Sequence, residues 1–90
     1  MSKFRRAAKV DSNQAEIVKA LRAIPGVSVA LRHDDILVGY RGRTYWYEIK
    51  AGQRAEIKAG QAMLQNTWAG HYAIVSTLRQ ILSEIGWFAT

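Results

Sequence analysis

Cysteine is absent from this 90-residue chain, and proline occurs once, at Pro25. Without thiols the protein has neither a disulfide framework nor a thiolate metal site, which fits a reducing, cytoplasmic setting. One proline and a hydrophobic share of 49% exclude a disordered or polyproline chain. Long apolar runs are missing too. The basic N-terminus is followed by none, so neither a signal peptide nor a membrane span is expected. Acids are scarce: seven Asp and Glu face thirteen Lys and Arg, a net charge of +6. On so small a domain that surplus points to a polyanionic partner, above all nucleic acid.

Ninety residues make one domain. A chain of this size buries only roughly 60–65% of the surface it exposes when unfolded, so its core is thin and a second subunit would help it. Residues 1–10 form a basic arm in which Lys3, Arg5, Arg6 and Lys9 can lie along a phosphate backbone. Residues 11–90 form the folded domain. Its first helix starts at Asp11-Ser12-Asn13-Gln14, where Asp11 or Ser12 can cap and Gln14 can reach back. Ile17, Val18, Leu21 and Ile24 then recur at helical spacing until Pro25-Gly26 stops them. Glu16 stands at the border of that apolar face, on the side of Asn13 and Ala20.

Val27–Arg32 is rich in strand formers, and His33-Asp34-Asp35 interrupts it. Ile36-Leu37-Val38 resumes as an apolar strand, and residues 39–43 hold a hairpin turn in which glycine supplies a positive φ. Thr44–Lys50 is the strongest strand. A polar loop, residues 51–56, leads to a second helix over Ile57–Trp68. Its stripe of Ile57, Gln61, Leu64 and Trp68 contains one polar member. Residues 71–76 form a fourth strand, with His71 a structural residue at its start. Thr77 caps a last helix carrying Leu78, Ile81, Leu82 and Ile85; Gly86 ends it and Trp87-Phe88 follow. The order α-β-β-β-α-β-α describes an α/β domain with a mixed central sheet flanked by helices.

Chemistry concentrates in the hairpin. Side chains alternate along a strand, so Glu48 and Lys50 share a face with Trp46, and Ile49 points to the other. Antiparallel pairing brings the start of the first hairpin strand, Asp35, beside the end of the second. Two carboxylates and the backbone carbonyl of Ile49 offer the oxygen ligands that Mg²⁺ prefers. A neighbouring lysine can hold or deprotonate an attacking water and offset charge in phosphodiester hydrolysis, while a cation lowers the pKa of bound water. Arg41 and Arg43 in the turn can add phosphate contacts.

The run from Asp35 through Ile36-Leu37-Val38-Gly39-Tyr40-Arg41-Gly42-Arg43 to Thr44-Tyr45, followed by Glu48-Ile49-Lys50, resembles the PD-(D/E)XK nuclease superfamily. More closely, it is similar to the stand-alone virus-type replication-repair nuclease (VRR-NUC) domains of phages and bacteria. The likeness runs from Asn13-Gln14-Ala15-Glu16 to Gln61, Trp68 and Gly70. It implies a restriction-endonuclease-like α/β core with Asp35, Glu48 and Lys50 as catalytic trio. It also implies Glu16 as a further metal-shell ligand and Gln61 as a glutamine facing the active site. The implied cofactor is Mg²⁺, with Mn²⁺ able to substitute. The implied activity is endonucleolytic cleavage of branched DNA (Holliday junctions or flaps) by a homodimer in DNA repair, in the cytoplasm of a bacterium or bacterial host.

The chain departs from the family pattern before the motif aspartate, where a glycine-rich loop and a proline are usual. It has Leu31-Arg32-His33 and then Asp34 in the proline's place. Asp34 can therefore compete for a metal, although Asp35 keeps the register with the run that follows. His33 reads as a strand-end residue. A competing reading is a non-catalytic nucleic-acid-binding module, since α-β-β-β-α resembles the start of a double-stranded-RNA-binding domain. The second helix lacks that module's dense lysine cluster. A purely structural or protein-interaction role rests on the aromatic count alone.

Overall fold

Two residues with positive φ, Arg41 at 53° and Gly42 at 81°, turn the chain between strands β2 (Asp35–Tyr40) and β3 (Arg43–Ile49). Both central positions of a two-residue hairpin loop then lie in the left-handed region, the arrangement whose twist matches the flanking strands. The glycine adopts it without steric cost; Arg41 does not. The computed structural model describes residues 13–32, 35–51 and 57–89. The capping expected of Asp11 and Ser12, the basic arm, and the choice between Asp34 and Asp35 fall wholly or partly outside those residues.

The sheet has the order β1-β2-β3-β4, with β1 at Val27–Arg32 and β4 at Tyr72–Val75. The first three strands are antiparallel neighbours and β4 joins β3 in parallel. A parallel neighbour requires a crossover, and the helix α2 (Ala59–Thr67) lies within it. The remaining helices are α1 (Gln14–Arg22) and α3 (Leu78–Glu84), followed by a 3-10 turn at Trp87–Ala89. The fold is thus α/β, with a four-stranded mixed sheet and three helices.

Strand alternation sorts the sheet into two faces. Ile36, Val38, Tyr40, Tyr47, Ile49 and Val75 turn to one side and form the core with Ile17, Val18 and Leu21 of α1 and Ile81, Leu82 and Ile85 of the α3 end. Leu21 is completely buried, so Leu21→Ala would cost about 2–5 kcal/mol. Losses of that size consume much of the stability of a small domain. The other face carries Asp35, Leu37, Trp46, Glu48 and Tyr72, which stand opposite one another in register.

Local sequence chemistry accounts for the helix ends. Thr77 Oγ1 accepts from the Gln80 N–H (3.2 Å), and Gln80 Oε1 accepts from the N–H groups of Ser76 (2.6 Å) and Thr77 (2.9 Å). Helix α2 is shorter than its apolar spacing predicts: Ile57 and Lys58 precede it, and Ile57 is exposed. Gln61 explains the difference. It is the third helical residue, and its Oε1 accepts from the Lys58 N–H at 3.1 Å, closing the helix start. Helix α1 differs as well. Asn13 occupies its cap position without capping through its side chain.

A second polar cluster locks the core side of β3. The His71 Nδ1 accepts from the Trp46 N–H (3.2 Å), so the ring proton sits on Nε2, which donates to Glu84 Oε1 (2.6 Å). The fully buried Tyr47 donates its hydroxyl to the same Glu84 oxygen at 3.1 Å. Burial, reinforced by the Glu84 charge, drives the Tyr47 phenol far above its ordinary range. This histidine is structural, as its place at a strand start suggests. No helix among the described residues is long and apolar enough to cross a membrane.

Candidate active site

The register sets Asp35 directly opposite Glu48, on the sheet face away from the main core. Directly opposed residues on neighbouring strands carry their Cβ atoms about 4.5–5.5 Å apart. Lys50, two residues on, returns to the same face, and its Nζ lies 3.6 Å from Glu48 Oε2. Both side chains are deeply withdrawn from water, at 12% exposure for Lys50 and 6% for Glu48. At an effective dielectric of 20 their attraction is roughly 5 kcal/mol. Desolvating two ions costs several kcal/mol each, so the pair contributes little net stability.

Asp35 is held from its own strand pair. The Trp46 Nε1–H donates to Asp35 Oδ2 at 2.9 Å, aiming the carboxylate along the sheet. Tyr72 of β4 stands opposite Trp46, with ring centroids 4.7 Å apart. Its phenol is pushed up to about 12, first by burial and then by the negative charges of Asp35 and Glu48. Tyr72 therefore keeps its proton and remains a hydrogen-bond donor throughout the physiological range.

The far end of β3 is tied to α1. Asn13 Nδ2 donates to the carbonyls of Lys50 (3.2 Å) and Ser76 (2.8 Å), and the Lys50 N–H donates to the Val75 carbonyl at 2.8 Å. Asn13 therefore fixes the backbone on which Lys50 is carried. Its Oδ1, and the Oε1 of the adjacent buried Gln14, are buried with no hydrogen-bond partner among the described residues.

The expected site residues thus fall into groups. Asp35, Glu48 and Lys50 come together. Ile49 sends its side chain into the core and offers the site only its backbone. Glu16 lies in the first turn of α1 and is exposed. Among the described residues no three His, Asp or Glu side chains gather into a metal-holding group, so Glu16 is not drawn in with the pair. Gln61 is committed to the start of α2. Arg41 and Arg43 are exposed at the hairpin tip, at least five residue steps from the acids and hence roughly 17 Å or more away. Lys3, Arg5, Arg6 and Lys9 lie outside the described residues.

The donor set fits a hard divalent cation. Two oxygen-bearing acids face each other with one ammonium beside them, leaving one negative charge in excess. Two residues at the site carry no signal of their role in the sequence. Trp46 shares the face of Glu48 by strand alternation, but its indole bond to Asp35 depends on cross-strand register. Tyr72 reaches the acids only because β4 docks in parallel. No protein-family model matches the chain, and no curated protein or solved structure is significantly similar to it.

Proposed function

We propose that the protein is a Mg²⁺-dependent DNA endonuclease, with Mn²⁺ able to substitute, that hydrolyses phosphodiester bonds in branched DNA. The observation that carries this reading is the in-register Asp35–Glu48 pair with the withdrawn Lys50 ammonium 3.6 Å from Glu48. Asp35, Glu48 and the Ile49 carbonyl would hold the cation, with Glu16 as a candidate outer ligand reached through water. When bound, the cation supplies a water of lowered pKa and polarises a phosphoryl oxygen.

The protein's own groups do the remaining work. Lys50 orients the attacking water and offsets charge building on the phosphoryl oxygens. Glu48 holds the ammonium in place, and Trp46 fixes the Asp35 carboxylate. Tyr72 can donate its hydroxyl toward a phosphate. The +6 charge, including the basic arm and Arg41 and Arg43, draws the DNA in. A homodimer would present two such sites to the two strands of a junction. The exposed Leu31, Met63 and Phe88 supply apolar surface for it.

A plain nucleic-acid-binding module accounts less well for these features. A withdrawn carboxylate on the side that meets a polyanion would repel it and gain nothing. The deciding measurement is cleavage of four-way, flap and duplex DNA by wild type, Lys50→Ala and Glu48→Gln, with and without Mg²⁺. Metal-dependent cutting that falls by at least about a hundredfold in either variant, with DNA binding kept, is expected. Equal cutting by all three proteins would refute the assignment, and binding without cutting by wild type would leave a binding module.

A further inference from the structure

Beside the acids, on the same sheet face, Arg32, Leu37, Trp46 and Trp68 line a pocket of about 260 Å³. We infer that this pocket receives one unpaired nucleobase of the bound DNA, stacked against Trp68. The inference rests on the nuclease reading for its substrate but not for its geometry.

Three observations support it. First, the pocket adjoins the site through a shared residue. Trp46 forms its wall and donates to Asp35 Oδ2 at 2.9 Å, so a base lodged there lies next to the residue that holds Asp35. Second, Trp68 is half exposed yet fixed. Its ring meets Trp46 edge to face with centroids 5.1 Å apart and an interplanar angle of 87°. A Cβ at Gly70 would approach Trp68 Nε1 to 3.1 Å, so the glycine lets the indole sit where it does. An exposed aromatic held in one orientation is preorganised for stacking, because it loses little freedom on binding.

Third, the lining matches an unpaired nucleotide. Indole and leucine surfaces take the face of any base, and the exposed Arg32 brings positive charge to the rim for the phosphate or for stacking. Stacking does not read base identity, so the pocket would select unpaired over paired nucleotides without sequence preference. A duplex cannot enter it unless a base leaves the stack, which costs a few kcal/mol. Branch points supply such bases already free.

The test measures DNA binding in EDTA, so that it does not depend on cleavage. Flap substrates carry either a normal nucleotide or an abasic one at each of the first unpaired positions next to the branch, with a blunt duplex as reference. Wild type is expected to bind the abasic flap about tenfold more weakly at one position only. Trp68→Ala should lose about the same on the intact flap and show no further loss on the abasic one, with duplex binding unchanged. Trp68→Phe should keep most of the affinity. Wild type that binds intact and abasic flaps equally overturns the inference without touching the nuclease reading. Trp68→Ala that weakens duplex and flap alike also overturns it, as does a change in oligomeric state alone, which would make the pocket a contact between two copies of the chain. Base-dependent binding by a protein that never cuts upholds the pocket and removes the nuclease reading.

Discussion

Trp46→Phe isolates a single atom's contribution to the candidate site. The substitution keeps a ring on the same face and deletes the indole N–H that donates to Asp35 Oδ2 at 2.9 Å. A hydrogen bond to a charged acceptor is worth about 1.5–3 kcal/mol. Without it the Asp35 carboxylate is free to rotate and loses its preset direction along the sheet. Partners that orient a metal ligand typically change metal affinity by about 10–100-fold, equivalent to roughly 1.4–2.7 kcal/mol. Both estimates agree in size. The assay is calorimetric titration of Mn²⁺ into wild type and Trp46→Phe, paired with cleavage measured over a range of Mg²⁺ concentrations. The half-saturating metal concentration should rise by about 10–100-fold. Activity at saturating metal should recover to within a few-fold of wild type, because Lys50 and Glu48 are untouched. A variant that binds Mn²⁺ as tightly as wild type refutes the orienting role of Trp46. Failure of wild type itself to bind Mn²⁺ or Mg²⁺ removes Asp35 and Glu48 as metal ligands.

Other consequences follow from the scaffold. Arg41 holds φ 53° in the hairpin turn, where an L side chain is strained, and Arg41→Asn supplies the favoured Asn-Gly turn. The melting temperature should rise by about 4 °C or more, offset in part by the lost stacking of the Arg41 guanidinium 5.3 Å from the Tyr40 ring centroid. Glu84→Ala leaves the buried Tyr47 hydroxyl and the His71 Nε2–H without their shared acceptor, so chemical denaturation should report a loss of about 1–3 kcal/mol. Tyr72→Phe added to that variant should change the loss little, since the two lie on opposite faces. Tyr72 has a folded-state pKa of about 12 against an ordinary 10.0. Below pH 10 its contribution to stability is constant; as pH rises from 10 toward 12 the unfolded chain ionises first and that contribution is lost. Wild type should therefore lose more stability across that interval than Tyr72→Phe, and equal pH profiles would refute the shift.

Much of this architecture can be read along the chain. Ile17, Val18 and Leu21 at helical spacing give α1, and the apolar run Ile36-Leu37-Val38, the glycine turn and the aromatic-rich strand that follows give the hairpin, because each is a local pattern. Residues whose environment comes from distant partners were harder to read. Gln61 looks out of place in an apolar stripe until the helix is seen to start two residues later than the stripe does. Nothing local marks Asn13, which spends its amide on Lys50 and Ser76, 37 and 63 residues away.

Sequence alone determined the hairpin, its Arg41-Gly42 turn, the positive charge, and the convergence of Asp35, Glu48 and Lys50, since strand alternation and antiparallel pairing are local rules. Only the tertiary structure decided how that trio is held. Parallel docking of β4 set Tyr72 beside the acids, cross-strand register gave Asp35 to the Trp46 indole, and the return of the chain after α2 laid Trp68 against Trp46. These contacts join segments separated by many residues. Their geometry is fixed by packing across the sheet, which no periodicity within a single segment encodes.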